Sequence, residues 1–187
     1  NSVYKNPKFP LDYLFVEDAR PEFLKEGKFD GIENVQCRVF MGRLSKRSSY
    51  EYTEFPEEYR LRGNVKDFVV DYAFPRAGIY RDICHHGVHG GFSVTFSALH
   101  FALYTYPRRI YLAGCDNAPT GHYDGTGYEK SWHESSLLEY KKTYKLMKEF
   151  AKIHYPETEI VSINPVGLKG MFKDIYILSK KKEDAQW

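Results

Sequence analysis

Within His89–Asp116, HGGFSVTFSALHFALYTYPRRIYLAGCD, the pattern of apolar residues changes period twice without a break. A glycine-rich turn leads into helical spacing, with Val94, Ala98, Phe101 and Ala102 on one stripe and Phe92, Phe96, Leu99 and Leu103 on another. A helix that is apolar on two sides is wedged between layers. Tyr106-Pro107 ends that pattern, because the residue before a proline is pushed out of helical geometry. Ile110–Ala113 then reads as a short apolar strand of the kind buried on both faces of a parallel sheet. The Gly114–Asp116 loop closes the segment.

The remaining elements extend this alternation. Leu11–Val16 and Val35–Met41 read as strands, and Phe68–Phe74 as a further one. Ser131–Tyr155 is an amphipathic helix, with Leu137, Tyr140, Tyr144, Met147, Ala151 and His154 on one face. Ser131-x-x-Glu134 and Ser136-x-x-Glu139 are alternative capping boxes for its start. Pro156 stops it, Glu159–Ile163 is the next strand, and Gly167–Phe172 reads as a short helix. The expected fold is α/β, a Rossmann-like three-layer domain with a mostly parallel sheet and right-handed crossovers. One domain spans residues 1–187, with a polar excursion at about 45–64 and a loose tail from about 178.

Composition narrows the function. The formal net charge of +2 argues against a strong nucleic-acid field. Cys37, Cys84 and Cys115 are odd in number and widely spaced, which fits a reducing cytoplasm better than a disulfide framework. No apolar run approaches the roughly 18 residues of a membrane span, and no signal peptide is visible. The expected location is cytoplasmic, and peripheral attachment at an inner membrane face is compatible with it.

In open α/β sheets, ligands sit beyond the carboxyl ends of the strands. Three elements are expected there. The first is the turn from Cys84 to Ser93. Gly90 and Gly91 let the backbone approach a ligand, the amides opening the helix favour anions, and Ser93 and Thr95 add hydroxyls. The alternative is a turn whose glycines are there for steric reasons. Cys84, His85, His86 and His89 also suggest a metal, but adjacent ligands rarely fit one tetrahedral site, and no metal site is assigned.

The second element is the loop after Ile110–Ala113. Asp116 stands where a carboxylate can orient a ribose, a base or a side chain; its alternative role is an Asx turn. Asn117, Thr120 and Gly121 offer further nucleotide contacts, and a Gly-, Thr- and Tyr-rich run carries Tyr123 and Tyr128 as a lid. Cys115 reads as a small buried filler. The third element is Trp132-His133-Glu134. If Ser131 caps the helix, the dipole disfavours a charged His133 and leaves it able to accept a proton. Its alternative is a surface histidine at a helix start.

Residues 90–121, GGFSVTFSALHFALYTYPRRIYLAGCDNAPTG, are similar to the domain shared by motility-associated-factor glycosyltransferases and archaeal hydroxymethylpterin pyrophosphokinase-like proteins. The shared pattern is a Gly-Gly turn, a small-residue helix, a strand ending Gly-x-Asp and a loop with Thr-Gly. The segment also resembles bacterial sialyltransferases that use CMP-activated sialic acid. Leu11–Asp18, LDYLFVED, resembles their earlier strand ending in an acidic residue. This resemblance implies a glycosyltransferase that needs no metal or other cofactor. Its partners would be a nucleotide-sugar donor, favoured as a CMP-nonulosonic acid, and a hydroxyl acceptor on a glycan or protein, with no nucleic acid and with homo-oligomerisation left open. Gly91 and Ser93 would approach the nucleotide, Tyr123 would contact the donor phosphate, and His133 would be the base.

The alternatives are an Mg²⁺-dependent pyrophosphokinase-like enzyme using Asp116 and Asp124, and a non-catalytic nucleotide-binding domain. The families' N-terminal Gly-x-Gly-Pro-Ser-type loop has no counterpart here. With a start at Asn1, the expectation is that the chain is truncated ahead of the nucleotide cradle.

Overall fold

In the computed structural model, the described residues are 10–16, 27, 32, 35–44, 57, 61–71, 78–90, 93–115 and 130–177. The chain forms two compact units, residues 1–104 and 105–187. Most of the expected excursion at 45–64, and the tail from 178, lie outside the described residues.

The first unit holds a four-stranded sheet of β1 (Tyr13–Val16), β2 (Arg38–Leu44), β3 (Val65–Asp71) and β4 (Val88–His89), in that order and with every described pairing parallel. Between β3 and β4 lies the one-turn helix α1 (Ile83–His86), and α2 (Val94–Tyr104) follows β4.

Register sorts the side chains of this sheet into two faces. Leu14 pairs with Val39, Val16 with Met41, and Val39 with Val65. These residues form a buried apolar cluster with Ile32 and Cys37. The alternate residues Tyr13, Phe15, Phe40 and Phe68 make an aromatic face, as strand periodicity requires. Phe101 of α2 covers it, with its ring 4.9 Å from Phe40 and 5.3 Å from Phe15 and from Tyr13. The opposite stripe of α2, Phe96, Leu99 and Leu103, is buried. The helix is therefore apolar on two sides, as its spacing predicts.

At the amino end of the sheet, Asn64 locks the entry to β2. Its amide donates to the carbonyls of Val35 at 3.0 Å and Cys37 at 3.1 Å.

The second unit holds a parallel sheet of β5 (Arg109–Ala113), β6 (Glu159–Ile163) and β7 (Lys173–Ile175), together with the long helix α3 (Lys130–His154). Its buried residues include Leu112, Tyr144, Met147, Phe150, Ala151, Tyr155, Ile160, Val161 and Leu168. Thr143 is buried too, because its hydroxyl is satisfied within the helix by the Glu139 carbonyl at 2.8 Å. Two bonds join the segment before β5 to β6: Thr158 Oγ1 donates to the Pro107 carbonyl at 2.6 Å, and the Glu159 N–H to that of Arg108 at 3.0 Å.

Several details depart from the sequence expectation. β5 is not buried on both faces: Leu112 is buried, while its neighbours Tyr111 and Ala113 are exposed, as fits its place at the edge of the described sheet. Residues 167–172 form successive turns rather than a helix, and Gly170, at φ +75°, adopts a conformation that ends helical geometry. Helix α3 begins at Lys130, so Ser131 lies inside it rather than capping it. His154 is exposed at its end, and Phe150 takes the buried position in that turn, its ring 4.7 Å from the imidazole. The α/β class holds, with parallel strands throughout the described sheets. Among the described residues, no helix is long and apolar enough to cross a membrane.

Candidate functional site

The best-defined site feature is the strand–turn–helix unit Val88–Tyr104. The turn leaves the carboxyl end of β4, which in a parallel sheet is the end where ligands bind. The order β1-β2-β3-β4 contains no reversal. The ligand position in this unit therefore rests on the turn and the eleven-residue helix it opens, not on a topological switch point.

Gly90, Ser93 and Thr95 are brought together. The Ser93 N–H donates to the Gly90 carbonyl at 2.9 Å, closing the turn. Ser93 Oγ accepts the Thr95 N–H at 3.3 Å, and the Ser93 carbonyl accepts the Phe96 N–H at 2.8 Å. Ser93 is thus the N-cap of α2. Its hydroxyl already serves the backbone, and Gly90 is buried. These are the features of the steric alternative, and an anion at this turn would have to share or replace the cap.

Behind the turn lies a buried polar cluster. His89, Ser97 and His100 are all buried, the last two completely. His100 Nδ1 accepts the His89 N–H at 3.1 Å, and Ser97 Oγ donates to the His89 carbonyl at 3.4 Å. Both main-chain polar groups of the last β4 residue are thus held by side chains of α2. His100 Nε2 lies 2.8 Å from the Tyr80 carbonyl, and the His89 ring meets Phe96 edge-on at 5.3 Å. Burial is the largest influence on the His100 imidazole and pushes its pKa down to about 4, against the pull of the Tyr80 carbonyl. In sequence the cluster is hidden: His100 sits between Ala98-Leu99 and Phe101-Ala102, where nothing marks it as a hydrogen-bonding centre.

The histidine-rich stretch before the turn disperses. Asp82 caps α1 by accepting the N–H groups of Cys84 and His85. Its other oxygen lies 2.6 Å from His85 Nδ1, and this bond holds the carboxyl below its usual range. The His86 ring stacks on Tyr80 at 4.4 Å, and Cys84 Sγ lies 3.4 Å from the Tyr104 hydroxyl. Among the described residues, no group of three or more His, Cys, Asp or Glu side chains could hold a metal ion.

In the second unit, Gly114 ends β5 at φ +66°, the conformation for which glycine is favoured. Cys115 is half-buried rather than a core filler, and its thiol meets the Ala113 carbonyl at 3.6 Å. Gly91, Asp116, Asn117, Thr120, Gly121, Tyr123, Asp124 and Tyr128 lie outside the described residues. His133 falls in the first turns of α3, and its side chain, like that of Trp132, is also outside them.

An open cleft of about 530 Å³ occurs at the opposite, amino-terminal end of the first sheet, where Asp12, Gln36, Arg38 and Asn64 contribute to its lining. No family model, curated protein or solved structure matches this chain.

Proposed function

We propose that the chain is a glycosyltransferase of the sialyltransferase-like kind, with a Rossmann-like three-layer fold, that moves a sugar from a nucleotide-activated donor to an acceptor hydroxyl. The observation that carries this reading is the Gly90–Ser93 turn. It leaves a parallel strand at its carboxyl end and opens an eleven-residue helix with no acidic residue in its first turn. A negative phosphate is favoured at such a position by the helix dipole and the nearby amides. The likeness of residues 90–121 to the nucleotide-sugar families adds to this.

On this reading a CMP-nonulosonic acid is the favoured donor. Gly90, Gly91, Ser93 and Thr95 contact its phosphate, and Asn117, Thr120 and Gly121 contact the nucleotide. Asp116 orients the sugar or base. His133 takes the proton from the acceptor hydroxyl as that oxygen attacks the anomeric carbon. The bond from that carbon to the CMP phosphate oxygen breaks, and Tyr123 stabilises the departing phosphate by hydrogen bonding. No metal enters these steps.

Calorimetric titration of the full chain with CMP and with ATP, each with and without Mg²⁺, tests the reading. CMP binding that is independent of Mg²⁺ supports it. ATP binding only with Mg²⁺ would replace it with pyrophosphoryl transfer, and binding of neither nucleotide refutes both. His133→Ala is expected to abolish transfer while leaving CMP affinity nearly unchanged.

A further inference from the structure

His100 makes two bonds of opposite sense. It accepts from the His89 N–H through Nδ1, and through Nε2 it reaches a carbonyl, that of Tyr80, which can only accept. Together these require one tautomer, with Nδ1 bare and Nε2 protonated. A second proton on Nδ1 would set a donor against the His89 N–H and place a charge in a site with no exposed surface.

We propose that His100 is a proton-controlled latch between β4 and α2, which opens the Val88–Tyr104 unit by taking up one proton in mild acid. This does not depend on the nucleotide reading. The geometry carries it: one imidazole bridges the last residue of β4, the Tyr80 segment and the middle of α2, and Ser97 reinforces the same strand residue through its carbonyl.

Among the described residues, the groups that face the ring set the direction. From β4 comes His89, whose ring, when protonated, opposes a second cation. From the Tyr80 segment comes the main-chain carbonyl, which favours the cation, while the Tyr80 ring is turned onto His86 and Asp82 is engaged by His85. From α2 come Ser97 and Phe96, both directed at His89. Burial dominates, so the closed state holds the neutral ring.

Once the unit opens, the ring returns to the ordinary histidine value of about 6.5. Between there and about 4 the open state binds a proton that the closed state does not. The opening equilibrium therefore rises about tenfold for each pH unit lost in this window. Above the window it is independent of His100, and below it the dependence levels off.

Native-state hydrogen exchange on the full chain tests this. Amide protection of Val88, His89 and the α2 residues, corrected for intrinsic exchange, is followed from about pH 7 down to about pH 4. The wild type is expected to lose about tenfold per unit. His100→Asn places an amide oxygen where Nδ1 stands, keeps the bond to the His89 N–H and cannot titrate. Its protection is expected to be flatter than the wild type's by that same factor. Equal slopes in the two proteins overturn the proposal. NMR titration of the wild-type His100 ring serves as a test that needs no variant: a ring that titrates at its ordinary value in the folded chain overturns the latch, and one that stays neutral well below it supports the latch.

Discussion

Asn164 and Ile177 hold one another by two hydrogen bonds of opposite direction. The Asn164 amide donates to the Ile177 carbonyl at 3.2 Å, and the Ile177 N–H donates to Asn164 Oδ1 at 2.7 Å. A third bond, from the Asn164 N–H to the Ile175 carbonyl at 2.9 Å, fixes the same junction. Asn164 stands at φ +47°, a left-handed conformation that asparagine tolerates better than most residues. One side chain thus ends β6 and pins the chain leaving β7.

Replacing Asn164 with alanine removes both side-chain bonds and leaves a Cβ residue in a strained conformation. The expected cost is about 2 kcal/mol, read as a lower denaturant midpoint of the second unit. Asn164→Gly loses the same bonds without the strain and is expected to be milder.

Glu159 clasps all three strands of the second sheet. Its carboxylate meets Lys173 on β7 and Arg109 on β5, each at 2.5 Å. The bond to Lys173, with that to Arg109, holds its pKa below the ordinary value. A depressed carboxyl contributes stability above the unfolded pKa and loses it as pH falls through the folded one. Glu159→Gln is therefore expected to melt slightly below wild type near neutrality, and the difference should vanish in strong acid. Thermal melts across that range check it, and a difference that grows in acid would contradict the sign.

The Ser93 cap has a separable energetic role. Ser93→Ala removes the acceptor of the Thr95 N–H, at an expected cost of about 1 kcal/mol in the first unit. Ser93→Asp keeps an acceptor and restores the stability, but places a negative charge where the donor phosphate would sit. If the turn binds CMP, the aspartate variant should melt like wild type and bind CMP at least tenfold more weakly, a loss of about 1.4 kcal/mol or more.

Leu103 has no exposed surface, and Phe101 is the hub of the aromatic face. Leu103→Ala is expected to cost about 3 kcal/mol through the cavity it leaves, and Phe101→Ala a similar amount. Urea unfolding followed by tyrosine fluorescence would measure both, and a loss below about 1 kcal/mol would mean that α2 does not pack as described.

The sequence shows the elements whose periodicity runs long enough to read. The two stripes of α2, the strand β5 and most of α3 lie close to where spacing places them. β4 is two residues long and α1 four, too short to carry any period. β7 was hidden because it is three residues long and begins with the polar pair Lys173 and Asp174, although Ser162 and Asp174 are register partners on the sheet. The turn and helix start formed by Gly90, Ser93 and Thr95 were legible because turn chemistry is local. The His89–Ser97–His100 cluster was not, because its bonds join residues that only the packed strand and helix bring together.

The sequential order of β1, β2, β3 and β4 bears on how the chain is made. Among the described strands of the first sheet, each after the first pairs with the one that left the ribosome just before it. The first sheet can therefore grow by addition at one edge as synthesis proceeds, without waiting for a later segment to be inserted between strands already paired. Because α2 follows β4, the residue that fastens this strand, His100, emerges only after the strand itself has emerged.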